Sequence, residues 1–491
     1  MTFRKFSLLF IALLLVWGHT ASAANLILPT NTPEYRFARE LAQRDEIAKR
    51  PDRLEYAVAP YRLVELPAAI PLVRQAHNLH GDRIRPFLLL TEDFTSRRYT
   101  RAEGYEYIRG GVMTSLSPRW SLYGNFVLDE QLAENPEYTG KKWRGLAGEV
   151  DNAYFAYKNG GVDVLFGRFG AAWGPAAQSL VLSPEACTMD ALSVRLRWNR
   201  FYFTYQAGKL DGSQVMRDST EVFLNRYFAG HRLDFRAVGQ LYIGLFETII
   251  FGGEGRAYET AYLNPINFYH AWQLNEDTDD NTLLGFDLRY YLGHRHKFYA
   301  QVLFDDFQID DDERGDEEPN ELGIMLGVQS LDWFDRFDFK LEYLRITNRT
   351  YNQLHPYNRY LNRDQLLGHP FGPDGERLDI SCTRWLNPTG RAQLKLSWQR
   401  RGEGSAADPW TEPWLETDGN YDEPFPTGTV ETTFSGALTF TGFVRDLAFV
   451  DLTAGLERIE NYGHVIDDDR TVPFINARLT LILTGVLSLS R

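Results

Sequence analysis

Leu284-Gly285-Phe286-Asp287-Leu288-Arg289-Tyr290 and, after a short turn at 293–297, Phe298-Tyr299-Ala300-Gln301-Val302-Leu303-Phe304-Asp305 decide the fold. In both, every second residue is apolar, so one face is apolar and the other carries most of the polar groups. A period of two marks a half-buried strand. The pattern recurs at Val194–Trp198, Phe337–Tyr343 and Ala392–Trp398, and again at Ile475–Leu483. Between such runs, short turns (Ser117-Pro118-Arg119, Asn199-Arg200, 330–336) alternate with long polar connections (129–148, 170–190, 210–230, 252–282, 306–320, 347–376, 400–431, 458–472). With a first strand near 86–95 and a last at 474–489, this predicts an all-β transmembrane barrel of about 18 antiparallel strands. Short turns would face the periplasm and long loops the outside. A closed barrel satisfies every backbone group in lipid, which an open sheet cannot. A soluble sandwich or propeller also alternates, but does not require short and long connections to take turns.

Composition agrees. The 491 residues carry 52 Lys and Arg against 66 Asp and Glu, a net charge of −14, which argues against a nucleic-acid partner. The 32 Phe, 26 Tyr and 11 Trp suit lipid-facing positions and interfacial girdles. Residues 1–23 read as a secretory signal: Arg4 and Lys5, an apolar run from Phe6 to Trp17, then Ala21-Ser22-Ala23. Its removal takes the charge to −16. Residues 24–84 form a small N-terminal helical periplasmic element, with Thr32 as cap, Pro33 in the first turn and Pro51 as the stop. The barrel then occupies 85–491.

Several segments resemble the Wzi-type capsule assembly proteins of the outer membrane. They are 142–150 (KWRGLAGEV), Phe166-Gly167-Arg168 leading to Trp173-Gly174-Pro175, 179–183 (SLVLS), Asn225-Arg226-Tyr227 with 230–233 (GHRL), 262–269 (YLNPINFY), 280–285 (DNTLLG), 305–310 (DDFQID) and 368–373 (GHPFGP). The resemblance implies an 18-stranded barrel that holds exported capsular or extracellular polysaccharide at the cell surface as a lectin. It also implies the cell outer membrane, with its lipid and lipopolysaccharide, as the location, and polysaccharide export machinery as a partner.

The sequence shows no nucleophile elbow, H-E-x-x-H, P-loop or C-x-x-C motif, so no enzyme, cofactor or metal centre is predicted. A porin for small solutes is the alternative function, and an outer-membrane hydrolase a weaker one. Candidate polysaccharide-binding residues fall into three groups. Trp173 lies in a Gly/Pro-rich connection that either presents it to a glycan or packs to close the barrel. Tyr262, Asn264, Asn267, Tyr269 and Trp272 combine rings that stack on sugars with amides that bond hydroxyls; an interfacial girdle with a turn at Asn264-Pro265 explains them equally well. Arg168, Arg195, Arg289 and Asp305 fall opposite apolar positions and are expected in the lumen, as a charged groove or as a network that fills it. The acidic run 305–321 places Asp310, Asp312, Gly315 and Glu321 at calcium-loop spacing, but Arg314 interrupts it, and a solvated loop is expected. Cys187 and Cys382 are compatible with a bridge or with two free thiols.

Overall fold

A computed structural model describes residues 33–48, 58–59, 83–97, 103–117, 119–134, 140–217, 220–307, 318–417, 421–485 and 487–488. The signal segment 1–23 and most of the 24–84 element lie outside the described residues.

Eighteen antiparallel strands form one closed barrel. They are β1 (Arg83–Arg97), β2 (Glu103–Ser115), β3 (Trp120–Asp129), β4 (Leu146–Asn159), β5 (Val162–Phe169), β6 (Met189–Trp198), β7 (Phe201–Lys209), β8 (Thr220–Val238), β9 (Leu241–Gly253), β10 (Asn281–Leu292), β11 (His296–Asp306), β12 (Glu321–Trp333), β13 (Phe337–Ile346), β14 (Gly375–Asn387), β15 (Gly390–Arg401), β16 (Glu431–Val444), β17 (Ala448–Glu460) and β18 (Arg470–Thr484). Each pairs with its sequence neighbours, and β1 closes the ring on β18 from Phe87 opposite Thr484 to Arg97 opposite Phe474. The predicted strand count and alternation of connections are therefore present. One boundary differs: the predicted loop 210–230 is largely hairpin, because Ser213–Arg217 pairs with the start of β8.

The alternation is read out as two faces. Leu192, Leu196, Leu245, Leu326, Leu394, Leu438, Leu452 and Ile475 point outward and stay exposed, as a lipid-facing wall requires. Aromatic pairs flank the short turns on the same face: Trp120 with Tyr157 (ring centroids 4.7 Å apart), Trp198 with Phe201 (6.3 Å) and Trp333 with Phe339 (6.0 Å). This is an interfacial girdle at the short-turn end.

The lumen is filled from both ends. Helix α1 (Pro33–Ala48) occupies the short-turn mouth and buries Tyr35, Phe37, Ala38, Ala42 and Ile47. The Phe37 ring meets the edges of Trp385 and Phe443, both at 5.7 Å. The helix expected in the small N-terminal periplasmic element is present, and its described part plugs the periplasmic, short-turn mouth of the barrel. Its polar side chains reach the wall. Arg44 binds Asp332 (2.5 Å) and Asp338 (3.0 Å), Arg391 pairs with Glu40, and Glu46 accepts from Lys297 (3.2 Å) and from the Tyr291 hydroxyl. From the far side, the 347–374 connection brings Tyr351, Tyr360, Leu367 and His369 into the interior, all buried.

Candidate functional site

The connection between β5 and β6 turns inward and forms the centre of the fill. Trp173 is fully buried. Its backbone N–H donates to Leu182 (2.9 Å), and its carbonyl accepts from Gln301 Nε2 (3.1 Å) and from Ser179 Oγ. Residues Val58–Ala59 pair antiparallel with Ala172–Trp173. Arg39 of α1 donates to the carbonyls of Ala176 (2.6 Å) and Ala177 (2.9 Å), so helix and loop brace each other. Trp173 therefore packs between wall and plug rather than facing open space.

The inward arginines are largely committed to carboxylates. Arg232 Nη1 binds Asp287 (2.6 Å) and its Nε binds Asp234 (2.7 Å), while Arg289 Nη2 reaches the same Asp234 (3.1 Å). All four side chains have at most 1% exposure. Two guanidiniums and two carboxylates cancel, and low dielectric makes such a closed set rigid. Arg195 is also inward and buried. Arg168 is a correction. It lies two residues from the exposed Phe166, on the same outer face, where it pairs with Asp190 (2.6 Å). Asp305 faces inward, and its Oδ2 accepts the Tyr351 N–H (2.5 Å), tying the 347–374 connection to the wall. Of the acidic run, 308–317 lies outside the described residues. Cys187 and Cys382 are unbonded.

The 253–280 connection holds the aromatic–amide group, and it lies on the outside of the barrel. Cross-strand partners share a face, and Leu192 and Leu196 point outward. So do Ala207, Tyr205 and Phe203 on β7, and in turn Ala229, His231 and Leu233 on β8, then Ile249, Glu247 and Leu245 on β9. Against that outer wall pack α2 (Thr260–Leu263) and α3 (Tyr269–Glu276). Tyr262 and Tyr269 are fully buried there, in a second apolar core with Tyr205, Tyr227, Ile249 and Phe251. Burial pushes both of their phenols well above the usual tyrosine range. Asn264, Asn267 and Trp272 lie at the surface of the same excursion, and the Asn267 amide donates to the Ala261 carbonyl (3.2 Å).

The most suggestive open space on the inner wall was not singled out from sequence. A cleft of about 210 Å³ lies in the outer half of the lumen beside β1, β2, β3, β4 and β18. Tyr105, Tyr107 and Arg109 line it from alternate positions of β2, with Asp93, Glu149 and Arg478 around them. Arg109 donates to Asp151 (2.7 Å), and Arg478 forms two bonds to Asp93. Arg363, from the connection that fills the lumen, donates to Glu149 (2.5 Å) on the cleft wall. The signal in sequence was Tyr-x-Tyr-x-Arg at period two on an inward face. Its carboxylate partners sit on other strands, so spacing did not group them. A second cavity, of about 340 Å³, lies beside α1 and is lined by charged groups including Arg44, Lys340, Asp379 and Lys395.

Phenol faces beside fixed carboxylates and guanidiniums suit a polyhydroxylated ligand: rings stack on C–H faces, and charged groups take bidentate hydroxyl bonds. Among the described residues no group of three His, Cys, Asp or Glu side chains is placed to hold a metal ion.

Comparison with known proteins agrees with this architecture. The solved structure of Wzi from Escherichia coli, described as an outer-membrane protein involved in group 1 capsule assembly and a carbohydrate-binding β-barrel, is similar at a TM-score of 0.60 and 15% identity, over 94% of this chain and 99% of that one. OprD from Pseudomonas aeruginosa is more distant, with a TM-score of 0.45 and 8% identity over 82% of this chain and 95% of that one. None of the curated proteins matches in sequence. The family model for capsule assembly protein Wzi matches residues 100–472. The chain belongs to the Wzi capsule assembly protein family.

Proposed function

We propose that this protein resides in the outer membrane and binds capsular or extracellular polysaccharide at the cell surface without chemically altering it. The observation that carries this reading is a lumen filled by α1 and two inward connections, with a tyrosine-lined charged cleft in its outer half. A filled lumen disfavours the porin reading, and the apolar outer wall with its girdle supports the membrane location. Within this reading the cleft, rather than Trp173 or Arg289, is the glycan-contact surface, because the latter are buried and bonded internally. Lipopolysaccharide and export machinery remain proposed neighbours.

The test is retention of surface polysaccharide by cells and by purified protein. Y105A and Y107A each remove one stacking ring, worth about 1 kcal/mol, and so weaken glycan binding about fivefold. Unchanged retention in the Y105A/Y107A double variant, with the barrel folded, would sink the cleft assignment. Release of shortened glycan by wild-type protein would instead support a hydrolase.

A further inference from the structure

The connection 253–280 does not project away from the barrel; it folds back over the outer wall. Polar contacts clamp it there. Glu247 points outward yet is only 2% exposed. It accepts the N–H groups of Tyr269 (3.0 Å) and His270 (2.8 Å) and lies 3.2 Å from His231 Nε2. The Tyr205 hydroxyl donates to the Tyr262 carbonyl (3.2 Å), the Tyr262 hydroxyl to Asp280 (2.6 Å), and the Tyr227 hydroxyl to the Arg256 carbonyl (3.3 Å).

The far side of the same excursion is apolar and bare. Ile266 is 84% exposed, Leu274 69%, Phe268 52% and Leu263 41%. Its height decides what covers it. Glu247 lies seven residues beyond Gln240, the last residue before β9. At ~3.4 Å per residue and a strand tilt of ~40°, it stands about 18 Å above the turn, inside an apolar band ~25 Å tall. A bare carboxylate at that depth is unfavourable; α3 closes over it and offers lipid an apolar surface instead. That surface continues onto the exposed strand residue Leu245 beside it.

We propose that α2, α3 and their connecting turn form an interfacial element whose outward face lies in the acyl chains of the outer membrane leaflet. The helices cover a polar patch on the barrel wall and widen the lipid-contacting surface on one side. The recognising chemistry is apolar contact with acyl chains, not a glycan or a headgroup phosphate.

The experiment uses the full chain with C187S and C382S, and a single bimane-labelled cysteine from I266C, L274C or the outer-loop control V465C. Each is reconstituted in phosphatidylcholine vesicles, with folding checked by heat-modifiable gel migration. Nitroxide on the lipid acyl chain should quench labels at 266 and 274 several-fold more than aqueous iodide does, and the control should show the reverse. Iodide quenching at 266 and 274 equal to that at 465 overturns the proposal. So does protection from both quenchers with cross-linking between 266 positions of two copies, which would make this face a barrel–barrel contact.

Discussion

Lys297 of β11 and Glu46 of α1 meet inside the lumen with Nζ 3.2 Å from Oε2, each side chain 1% exposed. The ammonium also donates to the Pro175 carbonyl (2.9 Å), so one residue joins wall, helix and inward loop. Truncating one partner leaves a buried uncompensated charge. K297A should destabilise the folded barrel by about 3–5 kcal/mol. The K297M/E46Q double variant should recover much of that loss. Urea midpoints in detergent micelles test both, and a K297A midpoint equal to wild type would contradict the bracing role.

The filled lumen makes an electrical prediction. Wild-type protein in planar bilayers should pass no steady current. Removing the clamp with R44A, E46A and R391A together frees α1 from β11, the β12–β13 turn and β15, and should give intermittent openings. A steady open level in wild type would show that the plug does not seal.

His369 makes a pH prediction. It lies in the connection between β13 and β14, and its Nδ1 accepts the Phe371 N–H (3.1 Å), which requires a neutral ring. Burial lowers its imidazole to about 3 from an ordinary 6.5. Glu342, Asp379, Arg377 and Lys340 face it. The folded state refuses a proton that the unfolded state takes, so this contribution is present above pH 6.5 and lost as pH falls from 6.5 towards 3. Replacing it with Asn should flatten stability across that window. Thermal unfolding at stepped pH measures it, and an unchanged slope would mean that other groups set the acid response.

Glu321 stands at the outer end of β12, where the register slips: Asp306 pairs with it and Asp305 is the extra residue. It is 1% exposed, and among the described residues neither carboxylate oxygen has a hydrogen-bond partner. Buried unpaired acceptors cost about 1–3 kcal/mol. The similarly sized apolar E321M variant removes both unpaired oxygens and should therefore raise stability by a similar amount. A lowered urea midpoint would reveal a role for the charge that the packing does not display.

The barrel was legible because its signals are local. Leu284–Tyr290 alternates by itself, and Asn199-Arg200 turns by itself. The destinations of the long connections were not legible. Asp305 captures the Tyr351 N–H, Arg39 captures the Ala176 carbonyl, and Glu247 captures α3; each partnership spans distant sequence. Nothing in 347–374 or 253–280 alone says that one enters the lumen and the other covers the outside. Arg168 was placed on the wrong face although Phe166, two residues earlier, marks the outer one. The family motifs identified the chain correctly, yet several of them (Trp173, Tyr262, Tyr269) are packing residues.

The placement of α1 sets an order of events. The ring closes only when β18 meets β1, which requires the whole chain to have been delivered. Yet α1 precedes β1, and its partners Lys297, Asp332 and Arg391 come from hairpins in the middle and later parts of the sequence. The segment exported ahead of every strand must wait for those hairpins before it has anywhere to dock. Synthesis order and docking order are thus inverted: the first described segment of the chain is held by side chains from strands made much later.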